Sequence, residues 1–235
     1  MEATGSRGKL RSPSAQKPSL ASPGGFQDVP KFWVGPRASF QVDHCGKQWL
    51  TPGLKKYYCE LELDTNTVSR KLQLSNNNKK VMIVNEEQPY PDHPDRFEWS
   101  QLLCKNGLIG RCYWEVEWSN GVLVSVSYRG IRRKGQSSDC WFGGNDQSWS
   151  LRCCDDVGYA ICHRNMMEVI TVPAACLWHR VAVYLDHPAG TLFFYRVSSD
   201  TLVHLHTFNT TFSEALYPGF GFWFDSSVSL CSSAR

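Results

Sequence analysis

Residues 112–118, Cys-Tyr-Trp-Glu-Val-Glu-Trp, alternate with a period of two. Cys112, Trp114, Val116 and Trp118 fall on one face and Tyr113, Glu115 and Glu117 on the other, the pattern of a strand with one face in a core and one outside it. A second such block follows: Val181, Val183 and Leu185, the reversal Asp186-His187-Pro188-Ala189-Gly190, then Leu192 to Val197. Proline and glycine supply the dihedrals of that turn, so the block reads as a hairpin. The same reading places strands at 57–63, 71–75, 80–85, 111–118, 121–128, 148–152, 158–163, 168–172, 179–186, 191–197, 201–207, 219–224 and 228–231. Turn residues such as Asn76-Asn77-Asn78, Ser119-Asn120-Gly121 and Gly143-Gly144-Asn145-Asp146 separate them. No sustained helical period competes; 51–56 and 212–216 each allow a turn or two. The expected fold is all-β, a two-sheet antiparallel β-sandwich, with Trp114, Val116 and Trp118 between the sheets and Glu115 and Glu117 outside.

These blocks also carry a resemblance. The Trp-Glu-Val-Glu strand and the Leu-Asp-x-x-x-Gly-x-Leu-x-Phe-Tyr hairpin resemble the two signature segments of the SPRY domain. Leu61 to Thr67 with Lys71 to Ser75 is similar to the PRY segment that precedes it, Pro91 to Phe97 lies between, and Leu216 to Phe220 and Val228 to Cys231 match the last two strands. Asp64-Thr65 departs from the usual Asp-Pro. The resemblance runs from Trp49 to Cys231 and implies a tail at 1–44, a PRY segment at 45–98 and a SPRY segment at 99–235, the last two forming one sandwich.

Composition narrows the function. Six of the 25 basic and three of the 22 acidic residues fall in 1–44, leaving nineteen of each in 45–235. The net charge of +3 thus belongs to the tail, which argues against a nucleic-acid-binding surface on the folded part. Residues 1–25 are Ser, Pro, Gly, Lys and Arg with few large apolar side chains, a composition expected to be disordered. Phe32, Trp33, Val34 and Phe40 form a short apolar patch beyond it. No apolar run approaches the length of a membrane span and no signal peptide is evident, so a cytoplasmic location is expected. The ten cysteines include no Cys-x-x-Cys pair, and Cys153, Cys154, Cys162 and His163 fit no usual zinc spacing. They are read as reduced thiols, several of them small core side chains.

Catalytic chemistry finds little footing. The chain has no Gly-x-Ser-x-Gly elbow and no phosphate-binding glycine loop; Gly143-Gly144 sits between strands and reads as a reversal. His163, His179, His204 and His206 read as surface or core-edge residues. No enzyme, cofactor or metal is expected. Recognition suits the chain better. Arg129 to Asp139 holds four basic residues, and Trp141 and Phe142 follow, with Trp149 and Trp178 assigned to the core; arginine and aromatic side chains dominate binding hot spots. The family resemblance implies protein binding through loops at one end of the sandwich. By position these bring Arg129, Arg132, Arg133, Trp141, Phe142, Arg152, Cys154, Phe222 and Phe224 to the surface. Some relatives carry two aromatics where this chain has Arg152 and Cys154. The expected partner is a protein with an acidic or phosphorylated patch, neither nucleic acid nor membrane, in an innate immune setting. A substrate-selecting domain of a tripartite-motif ubiquitin ligase, its RING outside this chain, is the alternative; a sugar-binding sandwich is a third.

Overall fold

The computed structural model describes residues 40–42, 48–50, 52–172, 179–198 and 201–232, backbone only before residue 53. The stretch read as disordered, together with Phe32, Trp33, Val34 and Trp178, lies outside the described residues. Among the described residues thirteen strands follow in chain order: β1 (Phe40–Val42), β2 (Gln48–Leu50), β3 (Leu72–Ser75), β4 (Lys80–Ile83), β5 (Gln101–Leu103), β6 (Arg111–Tyr128), β7 (Ser148–Cys154), β8 (Gly158–His163), β9 (Met166–Ile170), β10 (Arg180–Asp186), β11 (Thr191–Ser198), β12 (Thr201–Asn209) and β13 (Leu216–Leu230). Residues 40–42, assigned from sequence to the tail, pair with β2, which in turn pairs with β12.

Two antiparallel layers share β6 and β13. One runs β1-β2-β12-β11-β10-β6-β13-β4-β3; the other runs β9-β8-β7-β6-β13-β5. The first half of β6 pairs with β10 and its second half with β7. The sequence suggested two strands broken by a turn at Ser119-Asn120-Gly121. The chain instead stays in one 18-residue strand, with Asn120 at a left-handed φ of 61° where it passes between layers; asparagine tolerates that conformation better than most residues. β13 likewise spans what read as two strands, with an irregularity between Trp223 and Ser227. The stretch 57–63 is not a strand: a 3-10 turn covers Pro52–Tyr57, and only isolated bridges, Tyr58 to Tyr113 and Leu63 to Cys104, follow.

Between the layers the inward positions of both sheets close one core. Trp114, Val116 and Trp118 pack there with Val122, Val124, Leu151, Tyr159, Phe194, Phe220 and Phe222, as the alternation requires. Trp149 belongs to it as well. The outer side of β6 departs from expectation. Glu115 is buried rather than exposed, accepting the Tyr113 hydroxyl at 2.5 Å and the Arg180 guanidinium at 2.6 Å. A buried carboxylate persists only when so paired. The cover is the 3-10 turn and the residue after it, through Leu54, Tyr57 and Tyr58; the chain then runs beside β6, where the Cys59 N–H donates to the Tyr113 carbonyl at 2.9 Å and Cys59 is disulfide-bonded to Cys112 with Cα atoms 5.7 Å apart. The reading of all cysteines as free thiols is therefore corrected at this pair. Its 53-residue separation corresponds to about 4 kcal/mol of lost denatured-chain entropy.

Candidate recognition surface

The outer face of the second layer can be read row by row from its register. One row holds Ser125, Ser150, Cys162 and Met167, continued on the other side by Gly219 and Leu103. The next holds Leu123, Arg152, Ala160 and Val169. Beyond it come Gly121, Cys154 and Gly158, with Trp223 opposite Gly121.

The first row is roofed from Leu103 to Cys162, with Met167 on β9 left uncovered. The loop after β6 folds back over it, and Phe142 is fully buried against Phe97, Leu103, Leu123, Ile131 and Cys162. Small facing residues make this possible. The Ser125 hydroxyl donates to that of Ser150 at 2.8 Å, so neither is left unpaired beneath the roof; a Cβ added to Gly219 would meet Phe142 Cζ at 2.7 Å. Gly143 holds the reversal at φ 82°. Asn145 Nδ2 donates to the carbonyls of Ser138, Asp139 and Trp141, and its Oδ1 accepts from Gln147 and Ser148. Gln101 clamps the same loop through the Cys140 carbonyl and the Phe142 N–H.

Two of that loop's three arginines are spent inside the protein. Arg129 bridges Asp64 Oδ2 at 2.9 Å and Asp95 Oδ2 at 2.6 Å, tying the segment before β3 to the end of β6. Arg133 donates to the carbonyls of Asp95, Ile131 and Arg129 and lies over the Phe97 ring; burial lowers its pKa. Only Arg132 is exposed, 4.0 Å from Asp139. The expectation of a basic recognition loop is corrected here: two of its three arginines hold the fold. Phe142 and Phe222 are likewise core rather than surface.

The next row stays open. A cleft of about 210 Å³ is lined by Leu123, Trp141, Arg152, Cys162, Asn165, Met166, Met167 and Trp223. Arg152 crosses it. Its guanidinium stacks on Trp223, 5.2 Å from the ring centroid, and reaches over β8 to the Met167 sulfur at 3.5 Å. On the intervening strand Ala160 stands beside Arg152 and Cys162 beside Met167, both small, which leaves the diagonal path clear. Arg152 Nε is buried without a hydrogen-bond partner, and Arg152 forms no ion pair among the described residues. Met167 is 57% exposed, Val169 52% and Phe224 86%. Phe224 and Asp225, both at left-handed φ, project from the β13 irregularity beside the Asn120 bend, where Asn120 Nδ2 donates to the Asp225 carbonyl at 3.0 Å. Of the residues expected at the surface, the structure gathers Trp141 and Arg152 into the cleft, with Cys154 one row beyond Arg152 and Phe224 at the β13 irregularity, both outside its lining. It adds Leu123, Met166, Met167 and Trp223, which sequence reasoning missed. Strand parity held the signal for Trp223: with Phe220 and Phe222 inward, Trp223 must point out.

Nothing in this cleft is arranged as a nucleophile with its base. Among the described residues no group of three or more His, Cys, Asp or Glu side chains could hold a metal. Cys153 and His163 face inward while Cys162 faces out, so alternation alone keeps that quartet from converging. A second hollow beside Tyr58, Cys59 and Glu115 offers about 10 Å³, too little for a ligand. No helix among the described residues is long and apolar enough to cross a membrane.

Comparison with known proteins places this architecture. The family model described as SPRY-associated domain matches residues 61–108, and that of the SPRY domain matches residues 111–233. Stonustoxin subunit beta of Synanceia horrida is 44% identical over 168 residues, 71% of this chain. Tripartite motif-containing protein 16 of Mus musculus is 34% identical over 169 residues, 70% of this chain. The alignments span 24% and 30% of those proteins, so the chain covers about a quarter of the toxin subunit it matches. In structure, the PSpry domain of TRIM65 superposes with a TM-score of 0.70 over 77% of this chain and 94% of that domain at 24% identity, a likeness of fold. The two family matches adjoin, and together they cover every strand from β3 onward: the chain belongs to the SPRY domain family, with a PRY segment leading into it.

Proposed function

We propose that this chain is a non-catalytic protein-recognition module whose partner docks on the open half of the second layer's outer face. The observation carrying the reading is Arg152: a guanidinium stacked on Trp223, lacking any acidic partner among the described residues, set in a cleft rimmed by exposed Met and aromatic side chains. Arginine and tryptophan are typical binding anchors, and Met-rich rims adapt to varied partner shapes. An acidic or phosphorylated patch on the partner would supply what the guanidinium lacks. The kinship with tripartite-motif PRY-SPRY domains supports a protein ligand and, as the setting, innate immune sensing. It equally suits the substrate-selecting arm of a ubiquitin ligase whose transfer machinery lies elsewhere.

Affinity capture followed by mass spectrometry tests the reading, using the whole chain, Arg152→Glu, Trp141→Ala and, as a distant surface control, Glu87→Lys. The expected result is a protein retained by the wild type and Glu87→Lys and lost from both cleft variants. Capture that survives both cleft substitutions overturns it. A ubiquitin-transfer assay on the purified chain addresses catalysis directly: conjugation without added ligase would refute the non-catalytic half of the proposal.

A further inference from the structure

β9 forms one border of the open surface, and its chemistry is unusual for a border. Among the described residues it pairs with β8 alone. Sheet edges present unpaired N–H and C=O groups, and soluble proteins blunt them with lysine, proline, bulges or a cover. β9 reads Met-Met-Glu-Val-Ile, with no lysine or proline, and Met166, Met167, Glu168 and Val169 are all exposed. Its register with β8 runs without a bulge from His163–Met166 to Tyr159–Ile170. Met167 and Val169 share the outer face with Arg152, whereas Glu168 points to the other side.

Arg152 makes this edge selective. It originates on β7, two strands from β9 and hence about 10 Å away. By crossing β8 diagonally, between the positions of Ala160 and Cys162, it brings its guanidinium to the Met167 sulfur at 3.5 Å. The positive charge therefore stands in the row of β9 side chains, held by the Trp223 ring on one side and by a thioether, a weak acceptor, on the other. Its Nε remains buried and unpaired. A carboxylate arriving from an added strand would meet a planar fork of donors.

Resting on the proposed recognition role, we infer that the partner binds by strand addition: an extended segment pairs with the free edge of β9 and points an acidic side chain, flanked by apolar ones, at Arg152. Main-chain hydrogen bonds to β9 supply affinity, as in other strand-addition complexes. Met167, Val169 and Trp223 take the apolar neighbours, and Arg152 sets the sign of the charge.

Four ten-residue peptides test this on the intact chain by fluorescence anisotropy: one alternating valine with glutamate, one alternating valine with lysine, and the glutamate peptide N-methylated at alternate residues in each of the two registers to remove strand-pairing donors. The glutamate peptide should bind at least about tenfold more tightly than the lysine peptide, the gain of a charge-assisted hydrogen bond, and N-methylation in one of the two registers should abolish binding. Arg152→Glu should reverse the preference between the charged peptides while leaving the melting temperature unchanged. If the glutamate peptide and both N-methylated registers bind alike, strand addition is wrong though the face still recognises acid. If neither charged peptide binds, or Arg152→Glu changes nothing, the assignment of β9 and Arg152 to this partner falls, whatever affinity capture returns.

Discussion

The outer face of the second layer is one surface treated in two ways. Where its strands present Ser125, Ser150 and Gly219, the loop after β6 descends and buries Phe142. One row further on, Leu123 is still buried with Phe142, but Arg152 and Val169 stand with no described segment over them. The two rows are neighbours on the same strands, so twist and register do not distinguish them. Side-chain size does: Ser125, Ser150 and Gly219 admit a ring and its backbone, whereas an arginine and a valine fill the same height themselves. The covered half fixes the fold and the open half is left for a partner.

The largest effect expected from breaking this contrast is at the roof. Phe142→Ala removes a fully buried ring from between Phe97, Leu103 and Cys162 and should cost about 3–5 kcal/mol, read as a lower midpoint in urea with the slope unchanged. Arg129→Met comes next. It strands Asp64, whose side chain is 9% exposed, without the guanidinium that spans it and Asp95. Breaking a buried pair costs about 3–5 kcal/mol, and a guanidinium one-third exposed places this one near the lower end. A midpoint indistinguishable from wild type would show that the arginine is not the tie we describe.

A smaller effect depends on pH. His163 ends β8 at the foot of the roof, stacked on Trp149 and donating Nδ1–H to the Ser148 carbonyl at 2.7 Å. Burial holds its pKa below the ordinary histidine value, more than the hydrogen bond to Ser148 offsets. The folded state therefore resists a proton that the unfolded chain accepts. Stability from this group is complete above the unfolded value near 6.5 and is lost as pH falls through the lowered folded value. His163→Gln should flatten the melting temperature across that window relative to wild type. Parallel curves would assign the titration elsewhere, with His204 and His206, also lowered by burial, as the candidates.

What was legible in the sequence follows the same division. The core was, because period-two alternation is local: Cys112 to Trp118 names its own faces, and the 186–190 reversal names its own turn. The family was legible for the same reason, its signatures being contiguous segments. The recognition surface was not. Arg129 and Arg133 look like free charges in a polar loop until the loop is folded onto Asp95, Asp64 and Phe97, contacts more than thirty residues away. Arg152 was singled out for its position, but its isolation from acidic groups is a fact of three strands in register. The bends in β6 and β13 were hidden too, because Asn120 read as a turn between two strands and Phe224 as the end of one, rather than as points where one strand changes layer.

The smallest expected change in stability is the one that most sharpens the comparison. Arg152→Met makes the same chemical substitution as Arg129→Met, on β7 in the open half rather than just beyond the end of β6. Here no carboxylate is stranded, since Arg152 forms no ion pair among the described residues. The methionine can keep the aliphatic contact with Trp223, and one buried unpaired Nε disappears. Surface substitutions of this kind fall within about 0.5 kcal/mol of wild type, so the urea midpoints of Arg152→Met and wild type should overlay while Arg129→Met falls well below both. If the two arginine variants lost equal stability, Arg152 would be a structural residue like Arg129, and the division of this face into a half that holds the protein together and a half that meets a partner would have no energetic basis.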